Sequence, residues 1–265
     1  MNTNEIREHL LSKAPWLDRS RTVDTVKAGD PTRQVRTVGV GWIASIGNLR
    51  AAVRQGCELF ITHEPTFWHH WDPPDHAGRT VEPGLTKTRL LEESQLVVLR
   101  CHDVWDNWPD IGIRGSWAAW LGLTELAGES DHPWHAMYAI QPTPLREFAR
   151  QVARKIAPLG EDSVSVMGEP DRVVSRPAIG VGCGGPDKDM VDLGADVLIV
   201  CYDGASYWAT RQRLAELGAA VIAVEHGTSE MPGMMNLARY LGGTFPELTV
   251  HYLDKHPRTW TVTAD

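Results

Sequence analysis

The sequence predicts an α/β protein made of two similar α/β lobes with mainly parallel strands, spanning residues 1–130 and 131–265. Three observations predict it. Short apolar runs of strand length alternate with segments of helical spacing along the whole chain. Several of those runs exit directly onto histidines and acids, as strands of a parallel sheet do at their carboxyl ends. The two halves also repeat the same order of helix, turn, apolar strand and polar exit.

The elements follow in order. Residues 4–13 have amphipathic helical spacing closed by Ala14-Pro15. Residues 35–42 alternate as a strand, and 46–56 form a helix that stops on Gly56. CELFIT (57–62) is a buried strand. Residues 65–84, with four prolines and three histidines, predict a long irregular loop, a type that is often functional. A helix over 85–94 and a strand over 96–101 follow, then a helix over 115–123 and a linker over 128–134.

The second half opens with an amphipathic helix over 144–157. Residues 178–185 are a strand running into glycines, and 190–204 read as helix, turn and strand. A helix over 206–218, a strand with its exit over 219–227, a helix over 229–243 and a strand over 248–254 complete the order. RLLEESQLVVLRCHDVWD (89–106) matches RLAELGAAVIAVEHGTSE (213–230), so His102…Asp106 corresponds to His226…Glu230. Shared ancestry of the halves and shared βαβ physics both account for this likeness.

Composition narrows the function. With 42% hydrophobic residues, the chain can build a proper core and is neither disordered nor fibrous. A net charge of −8 without any basic run argues against nucleic-acid or anionic-membrane partners. No apolar stretch approaches the ~18 residues of a membrane span, and the first residues are too charged for a signal peptide. Four separate cysteines without a CxxC read as reduced, so a soluble cytoplasmic protein is expected.

The chemistry lies in three strand exits: His63-Glu64, His102-Asp103-x-x-Asp106 and Glu225-His226-x-x-x-Glu230. Mixed imidazole and carboxylate sets suit Zn, Mn or Fe(II). His63, Glu64, Asp106, His226 and Glu230 make five ligands, more than one ion needs. With one bridging carboxylate they provide about three protein ligands to each of two ions, leaving positions for water. His102 reads either as a further ligand or as the catalytic acid/base beside the ligands, and the histidines of the long loop read either as surface residues or, for His69 or His70, as a general acid reaching the metals. Gly180-x-Gly182-Cys183-Gly184-Gly185 reads as a tight strand exit or as a phosphate contact.

Tryptophan is the compositional outlier: 11, against 4 Phe and 5 Tyr. Trp68, Trp71, Trp105 and Trp108 flank the proposed ligands. Trp68 and Trp105 are expected to stack on a planar small-molecule substrate, the other reading being core and oligomer packing.

ITHEPTFW, HDVWDNWPDIGIRGSWAAWLGL, GVGCGG and EHGTSE fall in the order and spacing of the NIF-three-like family. This family is also known as type-2 GTP cyclohydrolase I-like dinuclear metal proteins, and the chain resembles it over nearly its whole length. The resemblance implies that His63 and Asp106 hold one metal and Glu64 and His226 the other. It further implies that Glu230 bridges or caps, that the site lies in a cleft between the lobes, and that the protein is a homo-hexamer. The family's first motif usually reads Thr-His-His-Pro; here it is Thr62-His63-Glu64-Pro65. The harder carboxylate shifts preference from Zn toward Mn or Fe. The expected function is a hydrolase opening a C–N bond of a planar heterocycle by a metal-bound hydroxide. The alternative is a metal-binding scaffold or metallochaperone without turnover.

Overall fold

The computed structural model describes residues 1–131, 134–183, 188–254 and 260–262. It is a mixed α/β fold whose residue contacts define two compact units. One contains Met1–Trp108 and Met234–Pro257; the other contains Pro109–Gly233 and Arg258–Asp265. The sequence expectation put the division at 130. The contacts put it at Trp108/Pro109 and return the chain at Met234, because the last strand pairs into the first sheet and residues 125–129 pair into the second.

The first unit begins with α1 (Thr3–Ser12), closed by a reciprocal cap in which Asn2 Oδ1 accepts from Glu5 N and Glu5 accepts from Asn2 N. It buries Ile6, Leu10 and Leu11. Strand β1 (Val26–Ala28) precedes β2 (Thr37–Gly41). Helix α2 (Ile46–Arg54) starts on Ser45, whose side chain accepts from Asn48 N. Strand β3 (Leu59–Thr62), helix α3 (Gly84–Ser94), strand β4 (Val97–Arg100) and the single turn α4 (Asp103–Asp106) follow. The sheet order is β1-β4-β3-β2, with the chain's last strand beyond β2. Strands β2, β3 and β4 are parallel, buried along almost their whole length, and mostly apolar for that reason, with Thr37, Thr62 and Arg100 at their ends.

The second unit contains α5 (Ile113–Leu121), β5 (Glu125–Glu129) and β6 (Ala136–Ala139). A small ribbon of β7 (Thr143–Pro144) and a later strand frames α6 (Leu145–Ile156). Then come β8 (Ser165–Met167), the ribbon partner β9 (Val173–Val174), β10 (Pro177–Ile179), α7 (Lys188–Asp192), β11 (Val197–Cys201), α8 (Tyr202–Ala205), α9 (Trp208–Glu216) and β12 (Ala220–Val224). The sheet order is β5-β6-β10-β11-β12-β8, parallel from β10 to β12. Helix α10 (His226–Thr244) begins in this unit, and β13 (Thr249–Tyr252) closes the first sheet parallel to β2.

The repeat seen in the sequence is a repeat of topology. Each unit sets three parallel strands side by side in chain order, β2-β3-β4 and β10-β11-β12. Each flanks the third with a short antiparallel strand, β1 or β8. The sequence predicts no element at β1 or β8, and the linker it predicts over 128–134 overlaps the end of the exposed edge strand β5. The few residues of these strands carry no alternating pattern to read. No helix among the described residues is long and apolar enough to cross a membrane.

Candidate metal centre

Register brings the first set of side chains together. Gly41 pairs with Thr62 and Thr62 with Arg100, so the exits of β2, β3 and β4 are level. His63 is thereby held between its neighbours. Its N–H donates to the Trp42 carbonyl at 3.1 Å, and its Nδ1 lies 3.1 Å from the Cys101 carbonyl. A carbonyl only accepts, so Nδ1 carries the proton and Nε2 turns its lone pair outward. That Nε2 is 3.3 Å from Asp106 Oδ1, and both side chains are buried.

His102 stacks on His63 with centroids 4.5 Å apart and planes at 15°. Its Nδ1 lies 2.9 Å from Asp103 Oδ1 and 3.3 Å from Asp106 Oδ2. Burial pushes the Asp103 carboxyl up, but hydrogen bonds from His102, Val23 and Thr22 outweigh it and bring it down to about 2. His63, Glu64 and His102 present donor atoms within 4.8 Å of one another, a geometry that can hold a metal ion. Asp24, fully buried, fixes the turn that carries His102 and Asp106. Its carboxylate accepts from the backbone N–H of His102, Asp103 and Val104 at 2.6, 3.1 and 2.8 Å. Burial and the nearby Asp103 charge push the Asp24 carboxyl up.

The second unit holds the other predicted pair. α10 starts at His226, three residues earlier than its spacing predicts, so His226 and Glu230 are one turn apart on its first coils. His226 Nε2 is 3.1 Å from Glu230 Oε1, and its Nδ1 is 3.4 Å from Asp203 Oδ2. Asp203, at the exit of β11, is the orienting carboxylate that sequence reading missed; the hydrogen bond from His226 holds it below the usual carboxylate range. Gly182, two residues past the Gly180 exit of β10, has φ +58. A Cβ there would press on Glu230 Oε1 and lie 3.1 Å from His226 Nε2. Backbone conformation and space both require glycine at Gly182, as the tight-exit reading expects. Gly184 and Gly185 lie outside the described residues.

These residues fit a metal. Imidazole Nε2 and carboxylate oxygen are both acceptors when neutral and ionised, respectively. Facing each other in a buried place, they need a proton or a cation between them. His63–Asp106 and His226–Glu230 repeat that arrangement, each with Nδ1 already engaged. The donor set is nitrogen and oxygen throughout. The buried cysteines stay protonated, with Cys57 pushed up to about 11 and Cys201 to about 12 by burial.

The loop over 65–84 is strapped to the sheet. Asp72, buried, accepts from Thr66 N and from Phe67 N at 2.9 Å. Lys87 donates to the Thr66 carbonyl at 2.6 Å, Lys27 to the Trp71 carbonyl at 2.9 Å, and Arg100 to the carbonyls of His63 and His70. His70 thereby sets its ring edge-on to His102, centroids 6.0 Å apart, whereas His69 packs on His76. Trp68 is half exposed at φ +60, with the Lys87 ammonium 4.1 Å from its ring centroid. Trp105 corrects the sequence expectation of a substrate contact. It is fully buried against Trp108 and Tyr240, because the turn that aims Asp106 at His63 points Trp105 into the core.

The chain is similar to several solved structures over their full length. Protein ybgI, of unknown function, superposes with a TM-score of 0.80 at 22% identity, covering 98% of this chain and 100% of that one. A Bacillus cereus protein related to NIF3 gives 0.78 at 13%, with 99% of each chain covered. Reduced HcgD from Methanocaldococcus jannaschii gives 0.72 at 19%, covering 96% and 98%. No curated protein matches. The family model described as Duf34/NIF3 (NGG1p interacting factor 3) matches residues 1–258.

Proposed function

The chain belongs to the Duf34/NIF3 family, and on that premise we propose that it is a dinuclear metal-dependent hydrolase. One observation carries the reading: two imidazoles, His63 buried and His226 partly buried, each with Nδ1 engaged and Nε2 aimed at a buried carboxylate. His63, Glu64 and Asp106 from the first unit, and His226 and Glu230 from the second, are the proposed ligands of two divalent ions, Fe, Mn or Zn. When bound, such ions supply Lewis-acid activation of water and stabilise a developing oxyanion.

The chain's own residues do the rest. His102 donates from Nδ1 to Asp103, which leaves Nε2 to hold or release a proton at the reacting group. Asp24 fixes the turn that presents His102 and Asp106. The open face of Trp68 offers a surface for a flat heterocycle. The proposed reaction is opening of a C–N bond of the cyclohydrolase or amidohydrolase type. The proposal includes a cytoplasmic homo-hexamer, which sedimentation would check.

Elemental analysis of native-purified protein, with Glu64→His and Glu230→Ala beside it, tests the reading. About two transition-metal ions per chain, with loss in Glu230→Ala, are expected. Glu64→His is expected to raise the zinc share. Metal-loaded protein is then assayed on cyclic amides, purines and pterins. Absence of metal in the wild type overturns the reading. Tight metal with no turnover favours the non-enzymatic scaffold.

A further inference from the structure

We propose that Arg100 is a positioning residue of the metal centre: its buried guanidinium fastens the backbone of His63 and of His70 at once, registering the aromatic loop against the ligands. The inference rests on the metal reading above.

Arg100 ends β4 and is 1% exposed. Its Nε donates to the His63 carbonyl at 2.8 Å and its Nη1 to the His70 carbonyl. Both acceptors are neutral carbonyls, and among the described residues no carboxylate is ion-paired with it. Burying a guanidinium this way costs more desolvation than neutral acceptors return, so an apolar side chain of similar volume would serve stability at least as well. What the cation supplies is geometry. A planar fork reaches two acceptors in fixed directions, which a lysine ammonium does not.

The two acceptors matter because of what they carry. The His63 peptide N–H is already held by the Trp42 carbonyl, which also accepts from Glu64 N at 2.9 Å, and its ring is held by the Cys101 carbonyl. Arg100 fixes its remaining carbonyl, and with it the direction in which Glu64 leaves the strand. At the other acceptor the loop returns to the sheet, and His70 is set against the ring of His102. Trp68 lies between these two fastenings, and Trp71 directly follows the second. One side chain therefore ties a metal ligand to the segment that would meet a substrate.

The test uses the full chain with Co²⁺ as the probe, comparing wild type with Arg100→Gln and Arg100→Lys. Visible absorption of bound Co²⁺ reports ligand geometry, and backbone hydrogen exchange over 65–76 reports the loop. Arg100→Gln is expected to change the Co²⁺ bands, weaken Co²⁺ binding about tenfold and speed loop exchange about tenfold. Arg100→Lys reaches one carbonyl and is expected to restore one readout only. Wild-type bands and exchange in Arg100→Gln overturn the proposal. If that variant does not fold, wild-type values of both readouts in Arg100→Lys do the same. No Co²⁺ uptake by the wild type overturns the metal reading instead, and loop exchange alone then reports whether Arg100 fastens the loop.

Discussion

Asp203 Oδ2 stands 3.4 Å from Nδ1 of His226, on the ring edge opposite Glu230. A carboxylate in that place fixes the tautomer and raises the basicity of Nε2. Asp203→Ala is therefore expected to weaken metal binding by about 10–100-fold with little change in melting temperature. Asp203→Asn, which keeps an acceptor oxygen, should lose less. Competition against a chelator measures both, and unchanged affinity in Asp203→Ala would remove Asp203 from the site.

Gly182→Ala meets two penalties. The left-handed backbone costs a Cβ-bearing residue about 1–2 kcal/mol, and the new methyl intrudes between His226 and Glu230. Loss of bound metal is expected alongside that modest destabilisation. Elemental analysis and denaturant unfolding separate the two effects. Full metal content in the variant would show that the space beside Glu230 is not needed.

The two tryptophans once expected to act alike should behave differently. Trp105→Ala empties a fully buried site and should cost about 3–5 kcal/mol. Trp68→Ala loses mainly its contact with Lys87, about 0.5–2 kcal/mol, and should keep its metal. Urea unfolding with metal analysis distinguishes them. A larger loss for Trp68→Ala would place its ring in the core.

Glu161 gives the second unit a pH dependence. Burial pushes its carboxyl up to about 7, hydrogen bonds from Thr228 and Glu225 N offset part of this, and the neighbouring charges of Glu225 and Asp162 add to it. The folded state then holds a proton that the unfolded state releases near pH 4.5. Between those values the folded chain binds more protons, so stability falls as pH rises and levels off above about 7. Glu161→Gln should flatten that slope. Unfolding between pH 4.5 and 8 checks it, and an unchanged slope in the variant assigns the dependence elsewhere.

By itself the sequence determined the α/β class, nearly every long element, and the imidazole and carboxylate residues at the strand exits. Those features are local: the period of apolar residues names a face, and a strand exit is adjacent to its strand. Helix α10 shows the limit even there. The spacing begins at Ser229, but the structure begins at His226 and puts His226 and Glu230 on one face. Tertiary structure decided the rest. Asp24 reaches His102 across 78 residues, Arg100 reaches His63 across 37, and β13 joins the first sheet from the far end of the chain. These pairings depend on strand register and order, which no local window encodes. The tryptophans divide for the same reason. Trp68 and Trp105 each follow a proposed ligand or precede one, yet one faces solvent and the other the core, because backbone direction at each turn settles which way the ring points.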